Sequence, residues 1–268
     1  MLKAVMPKRK PRILTVKSAV YLSPNMIRVT FAGPELEGFP LNQEGANCKL
    51  VLPREGESRS DFEAYFAPDG PDEKVHPVRT YTVRAYRSDT LELDIDFVAH
   101  GDSGPATRWA QQAKPGAFLG FFGPSQKKIK EFYADWYLVA ADLSAMPVAE
   151  AVLEQMPQNA KGIAVFEVPS EEDIREIQVP EKFSVHWLIQ EDPHVASSAQ
   201  FDFIASMEWP AGVVQTCIAG ESSVIRELRG YLNNTRQVPR KDTYISGYWK
   251  IGIVEDEHQK MKRAEEAA

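Results

Sequence analysis

Cysteine is almost absent from this sequence. Cys48 and Cys217 are the only cysteines among 268 residues, and their wide separation supports neither a disulfide framework nor a zinc site. The 5 histidines show no HxxxH or HExxH spacing, which argues against a catalytic metal held by the protein. No metal site is therefore expected.

The sequence also lacks a long apolar run and a net positive charge. No apolar stretch approaches the roughly 18 residues that cross a bilayer, and the basic start MLKAVMPKRKPR is not followed by the apolar region of a signal peptide. The formal net charge of −7 argues against non-specific binding to nucleic acid or to an anionic membrane. We expect a cytoplasmic protein with neither partner, and a monomer by default.

Short strands separated by turns dominate the first half of the chain. In LELDIDFV, Leu91, Leu93, Ile95 and Phe97 alternate with acidic residues, which predicts a strand with one face exposed to water. Several such strands, closely spaced and separated by Pro and Gly, favour an antiparallel barrel or sandwich.

The second half alternates strands with helices. Apolar runs at 136–141, 162–168, 183–189 and 212–219 alternate with helical segments such as Met146–Met156 and Ser222–Leu232, which predicts a parallel α/β sheet.

These patterns predict an organisation in two domains. The Lys-rich stretch at 124–135 suits a linker. We expect a β-barrel domain at 1–132, an α/β domain at 133–240, and a terminal segment at 241–268 that ends in a helix, because the tail is rich in helix-forming residues.

Arg79-Thr80-Tyr81-Thr82-Val83-Arg84 lies on one predicted strand. An Arg for phosphate, an aromatic ring against a ring system and a hydroxyl near a ring nitrogen would suit a flavin. The alternative is an ordinary strand rich in β-branched and aromatic residues.

The segment HGDSGPATRWA follows a strand and opens a predicted helix. Free backbone N–H groups at a helix start, reached through glycines, can bind a pyrophosphate. The alternative is a plain strand-to-helix turn.

Two further strand-to-helix turns lie in the second half, and neither contains the GxGxxG fingerprint. Asp142 and Ser144 lie in the first, where a nicotinamide nucleotide would cross the carboxyl ends of the strands. In the second, Gly220 permits close approach, and Glu221 could meet a nicotinamide amide or a ribose.

Five motifs occur in a fixed order: RxYTxR, HGxxGPATxWA, ADLSAMP, AGESSxIRxLRxYL and GYWKxGxxEDE. In this order the chain, from about Arg12 to Glu257, resembles the siderophore-interacting proteins, which are FAD-containing ferric-siderophore reductases related to the ferredoxin reductases. The resemblance implies an N-terminal FAD-binding antiparallel barrel of the ferredoxin-reductase type and a C-terminal α/β domain that binds a nicotinamide nucleotide.

The resemblance also implies which residues bind the cofactors. Arg79, Tyr81 and Thr82 would contact the flavin and its phosphate side. The FAD pyrophosphate would be held by His100, Gly101, Gly104, Ala106 and Thr107. The nicotinamide nucleotide would be met by Asp142, Ser144, Gly220 and Glu221, and Trp249 is a further candidate for contact with a cofactor.

Ferric siderophores are commonly anionic, so their docking site should be locally positive despite the net charge. Lys260 and Arg263 share one face of the predicted tail helix, and Lys49 would close the pocket from the barrel side. The alternative for the tail is a solvated charged helix. Trp249 either covers the flavin ring or packs in the core.

The leading hypothesis is reduction of a ferric siderophore through FAD, with NADH or NADPH as electron donor and a ferredoxin as an alternative donor. No side chain is assigned a catalytic role, because iron reduction moves an electron and not a proton. The other hypotheses are a general flavin or quinone reductase on the same scaffold, and a non-catalytic siderophore carrier.

Overall fold

The computed structural model describes residues 10–71, 73, 75–99 and 104–253. The chain divides into two compact units. The first comprises residues up to 21 and 27–126, and the second comprises residues 22–26 and those from 127 onward. The predicted tail helix lies outside the described residues.

The first unit is built on a 7-stranded sheet with the order β4-β3-β7-β1-β2-β6-β5. The pairs β1–β7, β3–β4, β3–β7 and β5–β6 run antiparallel, as the sequence predicted. Its strands are β1 (Arg12–Ser23), β2 (Met26–Ala32), β3 (Asn47–Val51), β4 (Val78–Thr82), β5 (Ala85–Arg87), β6 (Glu92–Val98) and β7 (Phe118–Phe122). Its helices are α1 (Arg59–Tyr65) and α2 (Pro105–Gln112).

Aromatic side chains join α2 to the barrel core. Phe97 is fully buried, and its ring lies 4.4 Å from that of Tyr81 and 5.7 Å from that of Trp109, measured between centroids. Ala106 and Ala110, one helical turn apart, are also buried on this core. The start of α2 is therefore fixed against the strands by its own apolar face.

The strand β6 departs from the prediction of one wet face. Asp94 and Asp96 are each 4% exposed, so that prediction is wrong for both. Arg87 donates to both carboxylate oxygens of Asp94 at 2.7 and 2.8 Å, and Arg28 binds Asp96 in the same two-pronged manner. A buried carboxylate is tolerated because such a paired arginine replaces the lost water.

The second unit is a parallel sheet with helices. Its 5-stranded sheet has the order β10-β9-β8-β11-β12, and every neighbouring pair is parallel. Its strands are β8 (Trp136–Asp142), β9 (Lys161–Val168), β10 (Lys182–Ile189), β11 (Val214–Glu221) and β12 (Thr243–Trp249). Its helices are α3 (Met146–Gln155), α4 (Ala199–Ser206) and α5 (Ser222–Gly230), and a π-helical turn follows α5 at Tyr231–Thr235.

The strand order makes β8 the first strand of a doubly wound sheet and β9 the second. The order reverses between β8 and β11, and this reversal creates a crevice at the carboxyl ends of the strands. Central strands read as continuous apolar runs because both of their faces are covered. Among the described residues, no helix is long and apolar enough to cross a bilayer.

The units differ slightly from the domains expected from the sequence. They divide between residues 126 and 127, near the expected boundary at 132. The strand β12 pairs with β11 in the parallel sheet, although the sequence assigned 241–268 to a separate segment.

Gly162 and Gly230 provide a matched test of packing in the second unit. A Cβ at Gly162 would overlap the Tyr137 carbonyl oxygen and lie 2.5 Å from a Phe183 ring carbon, whereas at Gly230 it would meet nothing within 4 Å. Gly162→Ala should therefore lower the free energy of unfolding by about 1–3 kcal/mol. Gly230→Ala should leave it unchanged or raise it by about 0.4–1 kcal/mol. Urea unfolding followed by tryptophan fluorescence measures both, and equal midpoints would contradict the packing described.

Candidate functional site

The start of α2 is open to an anion. Gly104 is the N-cap residue and Pro105 the first helical residue, and among the described residues no side chain caps this end and no acid lies in its first turn. The Thr107 hydroxyl donates to the Val98 carbonyl oxygen at 3.0 Å, which ties the helix start to the end of β6. The first amides of a helix lack intrahelical partners and favour negative charge. This arrangement fits a phosphate group.

The pairing of β3 with β4 sorts the predicted residues onto two faces. Cys48 is opposite Tyr81, and Lys49 is opposite Thr80. Residues that face each other across an antiparallel pair point to the same side, and the Lys49 ammonium donates to the Thr80 hydroxyl. Lys49 therefore shares a face with Thr80 and Thr82.

Arg79 and Tyr81 lie on the opposite face of β4. Cys48 and Leu50 of the neighbouring strand β3 lie on the same face of the sheet. Tyr81 is half-buried with its ring against Phe97. Thr82 is 4% exposed. The strand therefore carries the predicted flavin residues on both of its faces, and Lys49 lies on the same face as Thr82, opposite Thr80.

Four predicted site residues, His100, Gly101, Lys260 and Arg263, lie outside the described residues. Within the part of the chain that is described, no cluster of His, Cys, Asp and Glu could hold a metal ion.

Burial raises the pKa of the Cys217 thiol to about 12, so this thiol is protonated at neutral pH.

In the second unit, Asp142 ends β8 and organises the crevice. Its Oδ1 accepts hydrogen bonds from the Ser144 hydroxyl at 2.6 Å and from the amides of Ser144 and Ala145 at 2.9 and 3.2 Å. Its Oδ2 accepts the indole N–H of Trp249 at 2.7 Å. Burial raises the pKa of the Asp142 carboxyl, and these hydrogen bonds offset part of the rise. One carboxylate thus joins β8, the turn before α3 and the end of β12.

Position 220, next to the Asp142 carboxylate, requires a glycine. Its φ is +155°, and a Cβ there would lie 2.8 Å from Asp142 Oδ2. No L side chain fits such a place without moving the carboxylate. The sequence analysis expected Gly220 to permit close approach to its backbone, and in the structure the group that lies close to it is the Asp142 carboxylate.

Glu221 caps α5. Its carboxylate accepts the amides of Ser223 and Val224 at 2.5 and 3.2 Å, and the amide of Ile251 at 3.3 Å. It is only 7% exposed. The anion-binding start of α5 is consequently occupied by the chain's own carboxylate, unlike the start of α2.

Trp249 is held at both its backbone and its ring. Besides the indole bond to Asp142, its carbonyl oxygen accepts the Ser222 hydroxyl at 2.8 Å. The structure thus brings together Asp142, Ser144, Gly220, Glu221 and Trp249, which come from three separate motifs.

Glu167 is a residue that the sequence analysis missed. It lies one residue before the end of β9 and is directly opposite Asp142 in the register of the two strands. The Ser197 hydroxyl donates to its Oε2 at 2.8 Å. The only sequence signal was a lone acid near the end of the apolar run 162–168.

Two family models together match most of the chain. Residues 15–128 match the siderophore-interacting FAD-binding domain, and residues 134–252 match the siderophore-interacting protein model. These matches agree with the boundary between the two units.

Named relatives support the same relationship. The ferric vibriobactin reductase of Vibrio cholerae is 36% identical over 256 residues, which cover 94% of each chain. The siderophore-interacting protein SipS from Aeromonas hydrophila is 31% identical, with a TM-score of 0.82 over 98% of this chain and 100% of its own. A ferredoxin-NADP+ reductase from Plasmodium falciparum, 11% identical with a TM-score of 0.61, covers 92% of this chain and 99% of its own and shares the fold.

The Trp249 indole bond predicts a pH-dependent loss of stability. Trp249→Phe leaves a buried carboxylate oxygen without its donor, which should lower the free energy of unfolding by about 1.5–3 kcal/mol at neutral pH. Loss of the donor raises the already raised pKa of Asp142 further. The folded state then takes up a proton more readily than the unfolded state, so the deficit should shrink as pH falls through that pKa.

The control is Trp136→Phe, since the Trp136 indole makes no hydrogen bond to the described residues. It loses a similar volume, and its effect should not change with pH. Urea titrations of both variants at several pH values measure this difference. Parallel pH profiles would contradict the role given to the Trp249 bond.

Proposed function

Because this chain belongs to the siderophore-interacting protein family, we propose that it reduces ferric siderophores through bound FAD with electrons from NADH or NADPH. One NAD(P)H and two ferric ions would give NAD(P)+, one proton and two ferrous ions. FAD, when bound, accepts two electrons as a hydride and passes them on singly. The observation that carries the proposal is the start of α2, which has no side-chain cap among the described residues and is tied to the end of β6 by the Thr107 hydroxyl.

The first unit would hold FAD through main-chain and side-chain groups. The amides of Ala106 and Thr107 would hold the diphosphate, and Gly104 leaves room for it because a Cβ there would meet only the Thr107 hydroxyl at 3.8 Å. His100 and Gly101 would complete this loop. Arg79 would meet a phosphate, Tyr81 the ring system and Thr82 a ring nitrogen.

The crevice at the ends of β8 and β11 would receive the nicotinamide nucleotide. Asp142 and Glu221 are already bonded to the chain's own amides, so their role is to shape the crevice around Gly220, Ser144 and Trp249. A nicotinamide nucleotide as donor would place the reaction in the cytoplasm.

The substrate would be an anionic ferric siderophore. Lys49 would attract it on the Thr82 face of β4, and Lys260 and Arg263 would add charge. The relative named for ferric vibriobactin makes that complex a suitable test substrate. Ferredoxin as donor, a general flavin or quinone reductase, and a siderophore carrier remain the alternatives to be tested.

An anaerobic experiment with purified protein separates these functions. The FAD-loaded protein should lose its flavin absorbance on addition of NADH or NADPH, and ferric vibriobactin with a ferrous chelator should restore it. A protein that never retains FAD would contradict both reductase functions. Reoxidation by a quinone but not by ferric vibriobactin would favour the general reductase.

Gly104→Asp tests the diphosphate site with opposite effects on stability and affinity. Relative to glycine, an acidic N-cap should stabilise α2 by about 0.3–1 kcal/mol, because the backbone at Gly104 is already extended with φ −117° and the carboxylate would lie at the positive end of the helix. The same carboxylate should repel the diphosphate and abolish FAD retention. Gly104→Asn is the neutral control and should retain more FAD than Gly104→Asp. Isothermal titration with FAD and thermal melts of the FAD-free proteins measure both effects, and full retention by Gly104→Asp would contradict the site.

A further inference from the structure

Glu167 occupies a distinctive place in the parallel sheet. The strand β9 is the second strand of the doubly wound order, and Glu167 is level with Asp142 at the carboxyl ends of the strands. In the dinucleotide-binding fold, whose first strands have the same order, an acid that follows the glycine-rich turn by about 20 residues hydrogen-bonds the adenosine ribose. This position follows from register and strand order, without a GxGxxG sequence.

The contacts of Glu167 leave it able to bind a ligand. Ser197 is its only hydrogen-bond partner among the described residues, and that bond uses Oε2. Asp142 and Glu221, by contrast, bond several groups of their own chain. Glu167 is half-buried, and burial and nearby Asp142 raise the pKa of its carboxyl against the effect of Ser197. Among the described residues, no donor contacts its Oε1, which can therefore accept a hydrogen bond from a ligand hydroxyl.

The charges around this strand end are mainly negative. Glu171 and Glu172 lie in the turn after β9, and Glu191 and Asp192 follow β10; all four are exposed. These carboxylates would repel a doubly charged phosphate group, whereas a neutral hydroxyl group would not be repelled.

Among the described residues of β9, β10 and the loops that follow them, the lysine and arginine side chains are either paired with an acid or lie at the other end of the sheet. Arg175, the one Arg or Lys in the loops 169–181 and 190–198, forms an ion pair with Glu150 on α3. Lys161 and Lys182 begin β9 and β10 at the opposite end of the sheet. His186 packs on Phe203, and His194 is exposed in the loop after β10.

We propose that the Glu167 carboxylate accepts a hydrogen bond from the 2′-hydroxyl of the adenosine ribose, and that this chain therefore uses NADH in preference to NADPH. The proposal rests on the proposed function, since it assigns a specificity to the same nucleotide crevice. Ser197 acts as a positioning residue that orients the Glu167 carboxylate. A 2′-phosphate would meet Glu167 and its acidic neighbours, and the single arginine of the two described loops that follow β9 and β10 is already paired with Glu150.

Equilibrium binding tests the proposal without turnover. Isothermal titration of the FAD-loaded protein should show ADP-ribose binding at least about tenfold more tightly than 2′-phospho-ADP-ribose. Glu167→Gln should weaken ADP-ribose binding about tenfold, which is the size expected for a lost hydrogen bond to a charged group. Glu167→Arg should reverse the preference.

Glu171→Gln is the matched control, because it removes the same charge from an exposed position nearby. It should leave ADP-ribose binding unchanged, and Ser197→Ala should weaken it less than Glu167→Gln does. Circular dichroism and FAD content confirm that each variant folds. An unchanged affinity for ADP-ribose in Glu167→Gln would overturn the proposal.

Flavin reduction separates a failure of this proposal from a failure of the proposed function. Wild-type protein reduced equally fast by NADH and NADPH would overturn the specificity and leave the reductase function standing. Protein reduced by neither nucleotide, and binding neither fragment, would overturn both the specificity and the nucleotide as donor. Faster reduction by NADH, reversed in Glu167→Arg, would support the proposal.

Discussion

The hydrogen bonds to the half-buried carboxylate of Asp142 are the interaction on which the second unit's crevice depends. It accepts hydrogen bonds from the turn before α3 and from the Trp249 indole, and it contacts Gly220 so closely that a side chain there would not fit. Burying a charge is unfavourable unless several donors surround it. The crevice is therefore fixed by the protein's own hydrogen bonds before any nucleotide enters.

The starts of two helices show how the same backbone feature serves different purposes. Glu221 caps α5, so the positive end of this helix is satisfied within the chain. The start of α2 has no such cap among the described residues and can accept a phosphate. In the proposed function, recognition of a nicotinamide nucleotide would depend on groups other than the α5 amides, and the register places Glu167 at the end of β9 for that role.

Local sequence patterns were sufficient for the fold and for most of the crevice. Period-2 and strand–helix alternation predicted the two sheets, and the motifs around Asp142, Gly220 and Trp249 indicated residues that the structure brings together. The residues that the sequence analysis placed wrongly or missed depend on partners that are distant in the sequence. Asp94 and Asp96 are buried because Arg87 and Arg28 bind them, and Glu167 matters because of its register with β8; neither relation is visible in a local pattern.

The number of ferrous ions formed for each NADH oxidised tests the proposed reductase function most directly. If the chain passes a hydride equivalent from a nicotinamide nucleotide to ferric iron, anaerobic titration should yield about two ferrous ions for each NADH oxidised. The measurement is the ratio of ferrous chelate formed to NADH consumed, with ferric vibriobactin in excess. A ratio near two is the predicted result. NADH consumption without ferrous product, or no consumption by the FAD-loaded protein, would contradict the account.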